Sequence, residues 1–305
     1  MSQGHLKQAT SNVMSAIQPI YPLVDPMPKA SADAPIGIFD SGVGGLSVAL
    51  EIARYLPNER FVYYADTAYV PYGPRKDQEI RDLTARAIEW LYREGCKVAV
   101  VACNTASAFS LDYLREHYGE NFPIIGLVPA LKPAVLNTQS KTVAVLATPA
   151  TFRGQLIKDV MTRFAEPAQV KVIPVTCLDL VPFVEAGQQM SPECLATLTQ
   201  ILQPVVDQGA DYLVLGCTHY PFLKSSIQYI FGQKLTLIDS GFAVARQTAR
   251  ILIKNGLLFE HECKDSLKIR LVVSGQNAEQ LQPILGHLIP VDIKWQVSNM
   301  ETEVS

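Results

Sequence analysis

The chain has 305 residues, of which 48% are hydrophobic and 18% charged, and its formal net charge at pH 7 is -3. This composition excludes an intrinsically disordered chain and provides material for one large or two medium globular domains. Acidic and basic residues are mixed, without the basic stripe of a nucleic-acid-binding surface, and no apolar run reaches the ~18 residues of a membrane helix.

The first 34 residues are polar, contain several prolines and show no periodic pattern. Because they lack the apolar core of a secretory signal, we expect a flexible extension on a cytoplasmic protein. The six cysteines are too sparse for a disulfide scaffold, and none forms the C-x-x-C pair of a zinc or thioredoxin-like site. We therefore expect structural thiols at Cys96, Cys177, Cys194 and Cys263.

From residue 36 onwards, apolar strands alternate with helical patterns. The first half of the chain has strand-like runs over 36–39, 61–65, 98–102 and 123–128, with helical patterns over 46–56, 80–90 and 106–118. The second half has strand-like runs over 142–146, 171–175, 212–215 and 235–238, with helical patterns over 151–164 and 191–206. Continuously apolar strands alternating with helices predict an α/β protein, with two doubly wound parallel-sheet domains of similar topology and the active site in the cleft between them.

Two of the predicted strands end in a cysteine. The runs VAVVACNTAS (98–107) and DYLVLGCTHYP (211–221) place Cys103 and Cys217 directly after a buried strand, as the first strand places Asp40. Ligands of open parallel sheets bind outside the carboxyl ends of the strands, so these residues are expected in the cleft. Each cysteine is expected to open a helix, where backbone N–H groups and the helix dipole stabilise a thiolate.

Neighbouring polar groups have both catalytic and structural interpretations. His219 could hold a proton close to Cys217, although a lone histidine is more often structural. Asp40 could serve Cys103 in the same way, or could simply cap the helix that follows. The glycines of DSGVGG also give an imperfect dinucleotide fingerprint, with Ser47 at its last position and Asp66 as a loosely spaced ribose partner.

The pair of cysteines indicates a particular chemistry. A single cysteine with a histidine would suggest acyl transfer through a thioester. Two thiols facing each other across one cleft can instead remove a proton from one face of a carbon and deliver one to the opposite face. This predicts a racemase or epimerase that needs no cofactor.

Five motifs, in this order, resemble those of the glutamate racemase family, which supplies D-glutamate for peptidoglycan and so supports cell shape. They are FDSGVGGLSV (39–48), YADTAYVPYG (64–73), VVACNTAS (100–107), LVLGCTHYPFL (213–223) and IDSG (238–241). The resemblance spans about residues 36 to 290. CNTAS with CTHYP fits glutamate enzymes better than aspartate racemases, which usually carry an acidic residue at the position of His219.

The resemblance implies a role for each matching residue. Cys103 would be the base acting on D-glutamate, assisted by Asp40, and Cys217 the base acting on L-glutamate, assisted by His219. Glu185 resembles an acidic residue that supports the histidine, with a solvated helix residue as the alternative. The residues implied to hold the substrate are Asp40, Ser41, Tyr72, Gly73, Asn104, Thr105, Thr218 and His219.

The expected organisation is an extension over 1–34, a discontinuous first domain over 35–130 and 240–305, and a second domain over 131–239. The resemblance further implies activation by a UDP-linked muramyl peptide, and we expect a homodimer that needs neither cofactor, nucleic acid nor membrane. Three alternatives stay open: an aspartate racemase, a two-lobed amino-acid-binding protein without catalysis, and a dinucleotide-binding oxidoreductase.

Overall fold

The computed structural model describes residues 30–261, 267–275 and 278–300. Most of the predicted N-terminal extension, and Cys263, therefore lie outside the described residues. The strands are β1 (Ile36–Asp40), β2 (Phe61–Ala65), β3 (Val98–Val101), β4 (Ile124–Gly126), β5 (Thr142–Ala147), β6 (Lys171–Val175), β7 (Tyr212–Gly216), β8 (Thr236–Ile238), β9 (Ile269–Val273) and β10 (Trp295–Asn299).

These strands form two parallel sheets. The first has the spatial order β10-β9-β2-β1-β3-β4 and the second the order β6-β5-β7-β8. In both sheets, the first strand of the four-strand unit lies between the second and the third, and the fourth follows at the edge. The repeat confirms the predicted α/β class with two doubly wound parallel sheets of similar topology.

Most successive strands are connected by helices, as neighbouring parallel strands require. The helices are α1 (Leu46–Tyr55), α2 (Asp77–Arg93), α3 (Asn104–Tyr118), α4 (Leu131–Asn137), α5 (Pro149–Arg153), α6 (Gln155–Val160), α7 (Leu180–Glu185), α8 (Pro192–Asp207), α9 (Lys224–Phe231), α10 (Gly241–Asn255) and α11 (Ala278–Leu288). A π-helical turn, Met161–Ala165, continues α6, and a 3₁₀ turn, Tyr220–Leu223, precedes α9. Among the described residues, every helix is too short or too polar to serve as a transmembrane span.

The helix predicted over 151–164 is not continuous. Gly154 separates α5 from α6 with an extended backbone (ψ 151°). A side chain at this position would place its Cβ 2.5 Å from the Cβ of Ala108 on α3. The close approach of α3 therefore requires glycine here, and the helical periodicity did not reveal the break.

The two C-terminal strands extend the first sheet. Strand β9 pairs with β2, Phe61 opposite Ile269, and β10 pairs with β9. The chain passes between the sheets near Val128 and again near Ser240, whose hydroxyl donates to the Val128 carbonyl over 2.6 Å. This arrangement gives a physical basis for a discontinuous first domain, although the exact domain boundaries stay a prediction.

The inner strands of the first sheet are buried because helices cover both of its faces, whereas the edge strands β6, β8 and β10 are partly exposed. Every residue of β1, β2 and β3 is buried, which explains why these runs are apolar without alternation. One ion pair lies within this core: Lys97, before β3, donates to Glu59 over 2.5 Å, and both side chains are almost fully buried. Because Glu59 also accepts the Phe259 amide, the pair ties three segments together at the end of the sheet opposite to Cys103.

Candidate active site

Four strand ends meet at one cleft. Asp40 ends β1, Thr148 and Cys217 lie directly after β5 and β7, and Cys103 lies two residues after the end of β3. The cleft is narrow, with a free volume of about 20 Å³. Its lining residues come from both sheets and are Ser41, Val70, Pro71, Tyr72, Gly73, Cys103, Asn104, Thr105, Thr148, Leu178, Val181, Cys217, Thr218 and His219.

Cys103 lies at the N-terminus of α3, as the sequence predicts. Its Sγ accepts the Ala106 amide over 3.4 Å and lies 3.7 Å from the Ser41 hydroxyl. Burial and the nearby Asp40 carboxylate nevertheless raise the pKa of the Cys103 thiol, and the two hydrogen bonds only partly oppose this. At neutral pH the resting Cys103 is therefore a protonated thiol, which suits a proton donor.

Asp40 is fully buried beside this thiol. Its Oδ2 accepts the Gly45 amide over 2.7 Å, so the carboxylate does cap the start of α1 as one interpretation held. Burial raises the pKa of Asp40 to about 6, against the opposing effects of His219 and the Gly45 amide. A carboxyl that titrates near neutral pH can exchange a proton with a thiol, so the capping and catalytic interpretations are compatible.

Cys217 does not open an α-helix, and this prediction was wrong. The chain makes a tight turn in which the Tyr220 amide donates to the Cys217 carbonyl over 3.1 Å. An α-helix would require the next amide along, but that residue is Pro221, which has no N–H. A 3₁₀ turn forms instead, and α9 begins only at Lys224.

Cys217 therefore lacks the helix dipole that was expected to stabilise its thiolate. A histidine lies next to Cys217 instead, and a glutamate lies next to the histidine. His219 Nδ1 lies 3.8 Å from Cys217 Sγ, and its Nε2 lies 2.6 Å from Glu185 Oε1. Burial lowers the pKa of His219, but the hydrogen bonds to Cys217 and Glu185 outweigh this and raise it well above its usual range. The structure thus brings Glu185 to the histidine and does not leave it as a solvated helix residue.

The glycines of the DSGVGG loop make room for this pair. A Cβ on Gly44 would lie 2.3 Å from His219 Nδ1, and a Cβ on Gly42 would lie 2.7 Å from Glu185 Oε1. The Val43 amide also lies 3.4 Å from the same glutamate oxygen. The loop therefore receives the histidine and glutamate of the opposite sheet, a role for these glycines that sequence reasoning missed.

Substitution Gly44→Ala is expected to lower the rate of the reaction catalysed in this cleft by about 100-fold, because the imidazole must move by roughly 1 Å. Steady-state kinetics would measure the loss. The matched control is Gly286→Ala in α11, where a Cβ meets no heavy atom of the described residues within 4 Å. That control should retain activity and gain about 0.5–1 kcal/mol of stability, because alanine favours a helix interior over glycine. Equal turnover of the two variants would contradict the proposed packing.

The predicted substrate-holding residues surround the two thiols. Ser41, Tyr72, Gly73, Asn104, Thr105, Thr218 and His219 all line the cleft, whereas Asp40, also predicted to hold the substrate, is fully buried and is not among the lining residues. The buried Oδ1 of Asn104 has no hydrogen-bond partner among the described residues and is free to accept a ligand N–H. The Tyr72 hydroxyl, in contrast, donates to Asp66 over 2.6 Å, so only the rest of Tyr72 is available to a ligand.

Thr148 is a cleft residue that sequence reasoning missed. Its hydroxyl lies 2.9 Å from the Thr105 hydroxyl and 2.9 Å from that of Thr151, which links the two sheets through a hydroxyl cluster. Thr148 directly follows β5 as Cys217 directly follows β7, and this position is the signal in the sequence that points to it.

Asp66 does not fit the role of a dinucleotide ribose partner. It is buried, and its two carboxylate oxygens accept the hydroxyls of Tyr72 and Ser274. Over residues 30–261, 267–275 and 278–300, no three His, Cys, Asp or Glu side chains group as metal ligands would. Cys96, Cys177 and Cys194 lie outside the cleft lining, Cys96 and Cys194 buried and Cys177 half-buried.

Comparison with known proteins agrees with this geometry. The model of the Asp/Glu/hydantoin racemase family matches residues 39–248. A glutamate racemase from Deinococcus radiodurans is 57% identical over 234 residues, which cover 77% of this chain and 79% of the relative.

Solved structures of similar fold include two glutamate racemases. That of isoform RacE1 from Bacillus anthracis has a TM-score of 0.77 and 31% identity, covering 89% of this chain and 99% of its own. That from Escherichia coli, in complex with L-glutamate and the activator UDP-MurNAc-Ala, has a TM-score of 0.74 and 33% identity, covering 88% of this chain and 98% of its own. The chain therefore belongs to the Asp/Glu/hydantoin racemase family, and within it to the glutamate racemases.

Proposed function

We propose that the protein interconverts L- and D-glutamate by proton transfer between the α-carbon and two thiols, Cys103 and Cys217. The observation that carries the proposal is that the two thiols line one narrow cleft and come from equivalent strand ends of two sheets with the same topology. A substrate between them would have one thiol on each face of its α-carbon. This arrangement supplies both proton transfers without a cofactor.

In the direction from L- to D-glutamate, Cys217 as thiolate removes the α-proton and a carbanion forms. Cys103, a protonated thiol at rest, delivers its proton to the opposite face and becomes the thiolate. The product is D-glutamate, and the two sulfurs have exchanged protonation states. The reverse reaction begins from the exchanged state, and proton exchange with solvent restores the first one.

The neighbours of each thiol are suited to moving its proton. Asp40, with a pKa of about 6, can take up or return the proton of Cys103 near neutral pH. His219 is 3.8 Å from Cys217 Sγ, and because its pKa is raised it can supply a proton on that side, held in orientation by Glu185. The two acid–base groups thus flank opposite faces of the proposed substrate.

The α-proton of an amino-acid carboxylate is far less acidic than a thiol, so the carbanion needs strong stabilisation. Hydroxyls, backbone N–H groups and exclusion of water can provide it in a closed cleft. Ser41, Thr105 and Thr218 supply hydroxyls for the substrate carboxylates, and Asn104 Oδ1, which has no partner within the described part of the chain, can accept a hydrogen bond from the substrate ammonium. Thr148 adds a hydroxyl opposite to Thr105.

The proposal is tested by incubating the protein with L-glutamate in D₂O, without added cofactor. Optical rotation should decay to zero while deuterium enters the α-position of the D-product. L-aspartate, assayed alongside, should turn over much more slowly, because the relatives named above are glutamate enzymes. If rotation and deuterium content stay constant with both amino acids, even with the activator present, the binding-protein alternative replaces this proposal.

The cellular setting is also proposed by analogy. The E. coli structure holds UDP-MurNAc-Ala as an activator. We propose that a UDP-linked muramyl peptide activates this protein too, in the cytoplasm, where D-glutamate enters peptidoglycan. Removing residues 1–34 and finding an unchanged response to the activator would exclude a role for the extension. A homodimer stays a prediction, for which sedimentation is the measurement.

A further inference from the structure

A serine on the side of the first sheet contacts the turn of the second sheet that carries one proposed base and its assisting histidine. Ser47 lies in the first turn of α1, and its hydroxyl donates to the backbone carbonyl of Thr218 over 2.8 Å. The two residues are 171 positions apart in the chain. Thr218 stands between Cys217 and His219, so this bond fastens the peptide that joins one proposed base to its assisting histidine.

The surrounding hydrogen bonds give this contact its importance. The carbonyls on either side are taken within the turn, Cys217 by the Tyr220 amide over 3.1 Å and His219 by the Phe222 amide over 3.2 Å. The Thr218 carbonyl lies between these two, and it accepts the Ser47 hydroxyl from the side of the first sheet instead of an amide within the turn. Because the peptide unit is planar, holding this carbonyl fixes the rotation of the peptide that joins Thr218 to His219, and with it the position of the turn that begins at Cys217.

The same turn of α1 is bound to the opposite catalytic group. Gly45, two residues before Ser47, donates its amide to Asp40 Oδ2 over 2.7 Å. Asp40 lies beside Cys103, and its Oδ1 is also 3.5 Å from the Thr218 hydroxyl. The start of α1 therefore touches the Cys103 side through Asp40 and the Cys217 side through Thr218.

We propose that Ser47 is a positioning residue that sets the distance and orientation of Cys217 relative to Cys103. It acts through the Thr218 carbonyl and does not touch the substrate. The inference rests on the proposed two-thiol reaction. A transfer between two fixed sulfurs is sensitive to their spacing, since a displacement of about 1 Å can cost a reaction about 100-fold.

The test compares Ser47→Ala with Ser47→Thr and with a matched control. Ser226→Ala removes the same kind of bond, a serine hydroxyl donating to the Gln189 carbonyl over 2.7 Å, outside the cleft. We expect Ser47→Ala to lower kcat about 10-fold with little change in KM, because the substrate contacts remain. Ser47→Thr, which keeps the hydroxyl, should recover most of the loss, and Ser226→Ala should resemble the unchanged protein.

Isotope effects distinguish positioning of Cys217 from a general structural effect. The equilibrium constant of racemisation is one, so kcat/KM must fall equally in both directions. In Ser47→Ala the step at Cys217 becomes slower than the step at Cys103. The deuterium effect on kcat/KM should therefore rise with α-deuterated L-glutamate and fall with α-deuterated D-glutamate, while the solvent isotope effect rises in the D-to-L direction.

Failure of this inference is separable from failure of the proposed function. The unchanged protein must first racemise glutamate with deuterium incorporation, which tests the function alone. If it does, but Ser47→Ala changes both substrate isotope effects in parallel, or loses activity only in proportion to its loss of folded protein by circular dichroism, the positioning role is overturned. Opposite changes in the two effects, with Ser47→Thr restored, support it.

Discussion

Replacement of either cleft cysteine by serine is expected to lower glutamate racemisation by at least about 1,000-fold. Removal of a positioned acid–base group from a reaction costs on the order of 100- to 10,000-fold, and each thiol takes part in both directions. Serine differs from cysteine by one atom, a smaller oxygen in place of sulfur, and its hydroxyl holds its proton far more strongly than a thiol does. Both Cys103→Ser and Cys217→Ser should therefore fold and bind glutamate while failing to turn it over.

The two variants should differ in what they still exchange. Cys217→Ser keeps Cys103, the proposed base for D-glutamate, so α-deuterated D-glutamate should lose its label slowly without inversion. Cys103→Ser keeps Cys217 and should remove label from L-glutamate alone. Proton NMR of the α-position measures both. This crossed pattern would assign each thiol to one face, which a loss of activity cannot do.

Cys177→Ser provides the control for loss of a thiol as such. Cys177 is half-buried, lies outside the cleft lining and should be replaceable with less than about a twofold change in turnover. If Cys103→Ser or Cys217→Ser retains more than a tenth of the original activity, the two-thiol mechanism is wrong. If both exchange label from the same enantiomer, the assignment of faces is wrong.

The parts of the site that could be predicted from the sequence are those that depend on a residue pattern within one short segment. A buried parallel strand reads as a continuous apolar run, and the residue after it must lie at the carboxyl edge of the sheet. That rule is sufficient to bring Cys103 and Cys217 to one cleft and to place Asp40, which is fully buried, at the same edge of the sheet. The presence of His219 there follows from its position two residues after Cys217.

Contacts between the two sheets could not be predicted in this way. The fit of His219 against Gly44, the bond from Ser47 to Thr218 and the approach of Ala108 to Gly154 each join residues far apart in the chain. They depend on how the two sheets and their helices pack against each other. The hydrophobic periodicity within one segment carries no information about that packing. The absence of an α-helix at Cys217 could have been predicted, however, because Pro221 lacks the amide N–H that the helix would need.

Asp40→Asn is expected to lower turnover by about 100-fold and at the same time to stabilise the fold. Asp40 must be ionised to take the Cys103 proton. Its pKa of about 6 predicts that kcat/KM of the unchanged protein declines as the pH falls through 6. Asparagine cannot accept the proton, so the variant should be slow and should lose this acidic limb. A pH profile from 5 to 9 measures both effects.

The stability gain follows from the direction of the same pKa shift. The pKa of Asp40 rises from 3.8 in the unfolded chain to about 6 in the folded protein, so the folded state binds the proton more tightly. Its stability then falls as the pH rises from 3.8 to 6, and the full cost of burying the carboxylate is present above that range. At 1.36 kcal/mol for each pKa unit, the cost is about 3 kcal/mol.

Asparagine carries no charge at any of these pH values and can still accept the Gly45 amide through its side-chain oxygen. Urea unfolding at pH 8 should therefore show Asp40→Asn to be more stable than the unchanged protein, by up to about 3 kcal/mol, and at pH 4 the difference should nearly vanish. Equal stability at pH 8 would mean that the folded protein solvates the carboxylate as well as water does. An inactive but more stable variant would indicate that the fold carries a buried charge at Asp40 because the proton transfer at Cys103 requires it.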